Sequence, residues 1–154
     1  MPKKEGHGFR VVLDYRKLNL KTVPDFYSIR TIEQCIEEIG REGSAIFSCI
    51  DLRSGFWQMK LEESARPYTA FTIPGVGQFQ WRSAPMGLTG SPASFARLMD
   101  LIMCDLSNVI TYIDDCLVHS RNLKSHMSHL EQVLMRLRKH KLKINLDKNL
   151  ALQV

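Results

Sequence analysis

The stretch Val109-Ile110-Thr111-Tyr112-Ile113-Asp114-Asp115-Cys116-Leu117-Val118 decides the fold. Two apolar runs flank an adjacent pair of carboxylates, which predicts two strands joined by a tight turn at Asp114 and Asp115. Burying such charges costs several kcal/mol each, roughly, unless they are paired or bind a metal. Because successive strand residues face opposite sides of a sheet, a turn is needed to aim both carboxylates at one ion. The pair alone also fits a plain turn, since Asp favours turns.

A third carboxylate has the same character. Asp51 follows the apolar run 45–50, which is typical of a short buried strand. If this strand lies beside the Asp114-Asp115 hairpin, the three acids converge at one sheet edge. Three such acids can hold two Mg²⁺ ions about 4 Å apart, the arrangement that supports in-line phosphoryl transfer.

The remaining patterns mix helices with hairpins. The capping box 31–34 predicts a helix with an apolar stripe, which ends near Gly40 and Gly43. Ser91-Pro92 predicts a helix to about residue 106, and Ser125 is expected to cap another to about residue 141. Strands are expected at 9–15, 68–73, 78–82 and 142–146, with 68–82 forming a hairpin. This order predicts an α+β fold in which helices back an antiparallel sheet.

Charge is distributed unevenly along the chain. The net charge of +5 divides into +4 over residues 1–30, −5 over 31–120 and +6 over 121–154. Basic ends suit a polyphosphate partner, and an acidic centre suits bound cations. For the basic residues of the last helix alone, a solvated helix face is the simpler interpretation.

Composition excludes several classes of protein. With 154 residues, 44% hydrophobic, the chain can form one domain with a core but has no apolar run of the roughly 20 residues that cross a membrane. No secretory signal is visible, so we expect an intracellular protein, cytoplasmic or nuclear, and no membrane partner. The usual structural zinc patterns are excluded because the four cysteines lack C-x-x-C spacing. His126 and His129 form H-x-x-H without a third ligand, so we interpret them as surface or packing residues.

Several ordered motifs carry a family resemblance. Tyr112-Ile113-Asp114-Asp115 resembles the Y-x-D-D motif of reverse transcriptases. Segments 10–19, 47–58, 69–71, 85–95 and 126–148 resemble the other motifs of that family in the same order. From residue 2 to 149 the chain is similar to reverse transcriptases of gypsy-type LTR retrotransposons and related retroviruses.

The resemblance implies an RNA-directed DNA polymerase, and with it a set of site residues. The catalytic carboxylates would be Asp51, Asp114 and Asp115, which with Leu52 would bind two Mg²⁺ or Mn²⁺ ions. The expected nucleotide-binding residues are Lys3, Arg10, Arg53, Gly55, Phe56, Met86 and Lys148. The residues expected near primer and template are Tyr112, Gly87 and Pro92.

Individual roles follow from the same resemblance. Arg10 would grip the triphosphate with Lys3, or with Lys4 if the loop register slips. Phe56 would exclude a ribose 2′-hydroxyl, and Lys148 would donate a proton to pyrophosphate. As alternatives, Phe56 and Tyr112 are ordinary core aromatics, and Lys148 is a solvated lysine.

The sequence also departs from the family pattern. Met86 stands where the family usually has Phe or Gln, and Ser28 and Arg30 stand where gypsy-type elements usually have Pro. These departures concern the detailed nucleotide contacts, and plain packing is the alternative role of Met86.

The resemblance also implies an organisation. Residues 1–154 would form a single partial reverse transcriptase domain, with 1–45 and 62–90 in the fingers and 46–61 and 91–154 in the palm. Thumb, connection and RNase H segments are expected to be absent. Expected partners are an RNA or DNA template with primer, dNTPs, and other segments of a pol polyprotein (thumb, RNase H, integrase). An inactive relic that at most binds nucleic acid is the alternative, whereas Phe56 disfavours an RNA-copying RNA polymerase.

Overall fold

The computed structural model describes residues 12–145 and the main chain of 151–153. The helices are α1 (Arg16–Asn19), α2 (Ile32–Glu42), α3 (Ser91–Met103) and α4 (Leu123–Lys139), with 3₁₀ helices at Gly55–Gln58 and Glu63–Thr69. The strands are β1 (Ile46–Asp51), β2 (Phe71–Ile73), β3 (Gly77–Phe79), β4 (Val109–Tyr112), β5 (Asp115–Ser120) and β6 (Ala151–Gln153). The predicted α+β class is confirmed. No helix among the described residues combines the length and apolar character needed to cross a membrane.

The chain folds into two compact units. The hairpin unit comprises the described residues 12–25 and 56–91, and the sheet unit comprises 26–55, 92–145 and 151–153. Residues 26–45 therefore belong to the sheet unit and residues 56–61 to the hairpin unit.

An antiparallel sheet in the order β4-β5-β1-β6 forms the centre of the sheet unit. Alternate residues of β1 are buried, as the period of two in a half-covered strand requires. α4 packs against β1 and β5. The fully buried side chains of this unit include Phe95 and Met99 of α3, Val118 of β5, and Val133 of α4. The predicted hairpin at residues 109–118 is confirmed as β4 and β5, but its turn lies at Ile113 and Asp114 rather than at Asp114 and Asp115, because Asp115 already pairs with Tyr112 as the first residue of β5.

Two helix starts illustrate capping. Thr31 caps α2 through the predicted capping box with Gln34, and Gly43 ends the helix in the left-handed conformation with φ of 60°. The helix that was expected to be capped by Ser125 begins earlier. Asn122 is its cap and accepts a hydrogen bond from the Ser125 main-chain N–H at 3.0 Å. Asn and Ser are both good capping residues, and the helix uses Asn122, three positions before Ser125.

The hairpin β2–β3 is shorter than the sequence predicted. Residues 68 and 69 belong to the 3₁₀ helix Glu63–Thr69 and therefore do not extend β2, which begins at Phe71. The N–H of Trp81 donates to the Thr69 hydroxyl at 3.0 Å, and the carbonyl of Arg82 accepts from Leu61 N at 2.9 Å. Residues 81–82 therefore leave β3 for other partners.

Three other predicted elements also differ from the structure. Residues 12–15 of the predicted strand 9–15 are not in a strand, and 9–11 lie outside the described residues. Within the described residues 142–145 of the predicted strand 142–146, Ile144 forms an isolated bridge with Leu52, and residue 146 lies outside the described residues. Helix α3 ends at Met103 rather than near residue 106.

Candidate active site

The predicted convergence of strand ends is confirmed in the main chain. Asp51, the last residue of β1, lies opposite Asp115, the first residue of β5. Tyr112 at the end of β4 also pairs with Asp115. The N–H of Leu52 donates to the carbonyl of Asp114 at 3.3 Å. Three carboxylate-bearing residues thus meet at one end of the central strand pair.

The turn between β4 and β5 has unusual geometry. Ile113 has φ of 54°, a left-handed conformation that is strained for a β-branched residue. Two residues, Ile113 and Asp114, separate Tyr112 from Asp115 in this turn. The strain shows that the surrounding strands hold the turn in a conformation that Ile113 itself disfavours.

Asp114 is the least satisfied carboxylate of the site. Its Oδ1 is buried and has no hydrogen-bond partner among the described residues. Burial raises the pKa of Asp114 above its usual value, and the negative charges of Asp115 and Asp51 raise it further. A bound cation would relieve both effects.

Gly55 makes this arrangement possible. A Cβ at position 55 would lie 3.0 Å from Asp114 Oδ1 and 3.1 Å from Phe95 Cζ, both closer than ordinary contact. The main chain of residue 55 therefore lies directly beside the carboxylate. Gly55 was expected to bind nucleotide, and the contact seen here is with Asp114.

A later segment, residues 143–145, lies against the end of β1. Its Asn145 donates from the main-chain N to the Asp51 carbonyl and from Nδ2 to Asp51 Oδ2, both at 2.8 Å. Arg53, expected to bind nucleotide, donates its main-chain N–H to the carbonyl of Lys143 at 2.9 Å. Sequence reasoning missed Asn145, although it lies within the segment that carried the resemblance up to residue 148.

The side chains are not gathered around one point. Within the described part of the chain, no three His, Cys, Asp or Glu side chains are grouped closely enough to hold a metal ion. Asp115 is exposed, and Asp51 is half-buried with its Oδ2 accepting a hydrogen bond from Asn145 Nδ2 at 2.8 Å. The three residues are therefore neighbours along the paired main chains, whereas their carboxylates do not converge on one point.

Other predicted residues lie elsewhere in the two units. Pro92 is the second residue of α3 in the sheet unit. Phe56, in the first 3₁₀ helix, Met86 and Gly87 belong to the hairpin unit. Lys3, Lys4, Arg10 and Lys148 lie outside the described residues.

Gly87 occupies a turn that needs glycine, with φ of 94°. Asn19 fixes this turn from both sides. Its Nδ2 donates to the Gly87 carbonyl at 2.8 Å, and its Oδ1 accepts from Thr89 N at 3.1 Å. In the sequence, Asn19 is only one residue of the segment 10–19, and no local pattern indicates that it hydrogen-bonds to a turn 68 residues away.

The H-x-x-H pair is part of a polar network. His126 is fully buried and shares hydrogen bonds with Ser48 through Nε2 at 2.8 Å and with Ser120 through Nδ1 at 3.1 Å. His129 Nδ1 lies 2.8 Å from the same Ser120 hydroxyl. The interpretation of His126 as a packing residue is therefore confirmed.

Comparison with known proteins places this geometry in a family. The family described as "Reverse transcriptase (RNA-dependent DNA polymerase)" matches residues 1–153. The retrovirus-related Pol polyprotein from transposon 297 of Drosophila melanogaster is 35% identical over 154 residues, covering 96% of this chain and 14% of the polyprotein. Polyprotein P3 of Commelina yellow mottle virus is 41% identical over 126 residues, which cover 81% of this chain and 6% of the polyprotein. The chain thus spans less than a fifth of the length of these relatives.

Solved structures agree in fold. The foamy viral protease-reverse transcriptase in complex with double-stranded DNA is 30% identical with a TM-score of 0.81, covering all of this chain and 26% of the other. The structure of the same viral protein in complex with an RNA/DNA hybrid is 29% identical with a TM-score of 0.76. The match covers 92% of this chain and 19% of the viral chain. These matches, together with the paired carboxylates, establish that the chain belongs to the reverse transcriptase (RNA-dependent DNA polymerase) family.

Proposed function

We propose that this chain carries the nucleotidyl-transfer site of an RNA-directed DNA polymerase, which adds dNTPs to a primer 3′-hydroxyl on an RNA or DNA template. The observation that carries the proposal is the pairing of Asp51 with Asp115 across β1 and β5, with Asp114 in the adjoining turn. The proposed assembly includes the other segments of a pol polyprotein. We propose that residues 46–61 and 91–154 belong to the palm and residues 1–45 and 62–90 to the fingers, a division that differs from the compact units at residues 26–45 and 56–61.

Two divalent cations, Mg²⁺ or Mn²⁺, fit the donor set of this site. The Oδ1 of Asp114 is buried without a hydrogen-bond partner among the described residues, so a cation would supply a partner, and the mutual repulsion of the three carboxylates favours a nearby positive charge. Asp51, Asp114 and Asp115 would hold the ions, with Leu52 beside them. When bound, such ions activate the 3′-hydroxyl and stabilise the pyrophosphate leaving group.

The chain's own residues position the carboxylates and are proposed to bind the substrates. The β1–β5 pairing fixes the main chain of Asp51 and Asp115, and the strained turn presents Asp114 beside them. Arg10 is proposed to bind the triphosphate together with Lys3, since the Arg10 guanidinium can pair with phosphate bidentately, and Lys148 is proposed to donate a proton to pyrophosphate. Arg53, Gly55 and Met86 complete the proposed nucleotide-binding set, and Tyr112, Gly87 and Pro92 are proposed to lie near primer and template.

The proposal is tested by primer extension, with the chain in its polyprotein context. Asp114→Asn keeps the shape of the side chain and removes its charge, so we expect it to reduce incorporation of dNTPs by more than about 100-fold. The matched control is Asp105→Asn, which changes a carboxylate that is hydrogen-bonded to Arg136 and should retain incorporation. If Asp114→Asn extends primers at the unaltered rate, the catalytic assignment is wrong.

Sugar selection is tested separately. Phe56→Ala should admit ribonucleotides, because the shorter side chain leaves room for a 2′-hydroxyl. Tyr68→Ala removes an aromatic ring that is 72% exposed in the same unit and serves as the control. If Phe56→Ala discriminates between deoxyribonucleotides and ribonucleotides as well as the unaltered protein, Phe56 does not exclude the 2′-hydroxyl sterically.

No described contact favours the inactive-relic alternative. All three carboxylates are present, and Asp51 and Asp115 are in register at the strand ends. The relic predicts no incorporation by the unaltered protein with either Mg²⁺ or Mn²⁺, so the same primer-extension assay decides between the two.

A further inference from the structure

Asp51 is held by a segment that follows it by more than ninety residues. Residues 143–145 run antiparallel to 51–53, with Ile144 bridging to Leu52 and the Lys143 carbonyl accepting from the N–H of Arg53 at 2.9 Å. Asn145 completes the segment by donating its own N–H to the Asp51 carbonyl at 2.8 Å. The main chain of Asn145 is therefore fixed relative to that of Asp51.

The side chain of Asn145 adds a second connection to the same residue. Its Nδ2 donates to Asp51 Oδ2 at 2.8 Å across a sequence separation of 94 residues. Because the main-chain hydrogen bond has already fixed where Asn145 stands, the side-chain bond restricts the rotation of the Asp51 carboxylate. One carboxylate oxygen is held by the amide.

The chemistry of the amide suits this task. A lysine or arginine at position 145 would also hold Asp51, but its positive charge would compete with a cation for the carboxylate. A neutral amide orients the carboxylate and leaves its negative charge uncompensated. An amide partner of this kind resembles the groups that orient metal ligands in other proteins.

We infer that Asn145 is a positioning residue that sets the orientation of Asp51 for cation binding and nucleotidyl transfer. The inference rests on the proposed function, because it assigns Asn145 a task only if Asp51 is a ligand. Asn145 itself does not touch the reacting atoms.

The test compares two asparagines in similar surroundings. Asn145→Ala removes the amide next to Asp51 and keeps the main-chain hydrogen bond. The matched control is Asn108→Ala, since Asn108 Nδ2 also donates to a carboxylate, Glu42 Oε2, at 2.9 Å in the same unit. Mn²⁺ binding to the 154-residue chain is measured by electron paramagnetic resonance, and primer extension is measured in the polyprotein context.

We expect Asn145→Ala to weaken Mn²⁺ binding by about 10- to 100-fold and Asn108→Ala to leave it unchanged. The turnover rate in primer extension should fall by a similar factor, while the KM for primer–template stays within about twofold. Thermal unfolding of both variants separates positioning from a general loss of stability. If Asn145→Ala fails to fold, Asn145→Ser removes the amide with a smaller disturbance and should show the same weakening.

Two outcomes would overturn the inference in distinguishable ways. If the unaltered protein binds Mn²⁺ and extends primers while a folded Asn145 variant matches it in both, the positioning role is wrong and the proposed function stands. If the unaltered protein neither binds Mn²⁺ nor extends primers, the proposed function fails and the role of Asn145 falls with it.

Discussion

Gly55→Ala is the smallest change that should disturb the proposed site. The added methyl carbon would lie 3.0 Å from Asp114 Oδ1, 3.3 Å from Asp114 Cγ and 3.1 Å from Phe95 Cζ. Ordinary contact begins at 3.4 Å, so the neighbours must give way by a few tenths of an ångström. Phe95 is fully buried. The Asp114 carboxylate is therefore the group we expect to turn.

The expected change in stability follows from two opposing effects. Overpacking a well-filled site costs about 1–3 kcal/mol. Replacing glycine by alanine restricts the unfolded chain, which gives back about 0.4–1 kcal/mol. The free energy of unfolding should therefore fall by roughly 1 kcal/mol. Because the displaced group is a proposed metal ligand, primer extension should fall by about 10- to 100-fold, much more than this loss of stability explains.

Gly40→Ala provides the matched control. Gly40 lies within α2, and a Cβ built there meets none of the described atoms within 4 Å. The same substitution should stabilise the protein there by about 1 kcal/mol through helix propensity. Urea unfolding followed by far-ultraviolet circular dichroism gives both values. The reasoning is refuted if Gly55→Ala is as stable as Gly40→Ala or extends primers at the unaltered rate.

Three further predictions concern the sheet unit, each measured by urea unfolding. Ile113→Gly should change the free energy of unfolding by less than about 1 kcal/mol, because relief of the left-handed strain offsets the entropic cost of ordering a glycine. A loss above about 2 kcal/mol would show that the contacts of the Ile113 side chain matter more than the strain. Arg136→Ala should cost about 1 kcal/mol more than Asp105→Ala, because Arg136 also donates to the Ile102 carbonyl at 2.9 Å; equal losses would contradict this. Burial, then the charges of other histidines, lowers the pKa of His126, so the unfolded chain binds protons more readily. Stability should therefore fall as pH decreases below about 6.5, the unfolded value, and His126→Gln should reduce that slope; an unchanged slope would exclude His126.

Local patterns in the sequence predicted the elements on which the site is built. The apolar runs on either side of Asp114 and Asp115 identified β4 and β5, and the run before Asp51 identified β1. These predictions were correct because a short apolar run is typical of a buried strand and is visible within a few residues. The predicted strand near residue 144 was wrong in extent, because its partner is the end of β1 rather than a full strand. The preference of a short sequence for strand structure does not indicate which distant segment will pair with it.

The site's supporting contacts could not be predicted, because they join distant residues that have no common pattern. Asn145 reaches Asp51 across 94 positions, and Gly55 fits against Asp114 only once the fold exists. These contacts coincide with two local departures from stable structure, the left-handed Ile113 and the unpartnered Oδ1 of Asp114. Proteins usually break local rules where function requires it. Strain and an unsatisfied carboxylate oxygen in two adjacent residues therefore support the proposed site at this turn, independently of any family resemblance.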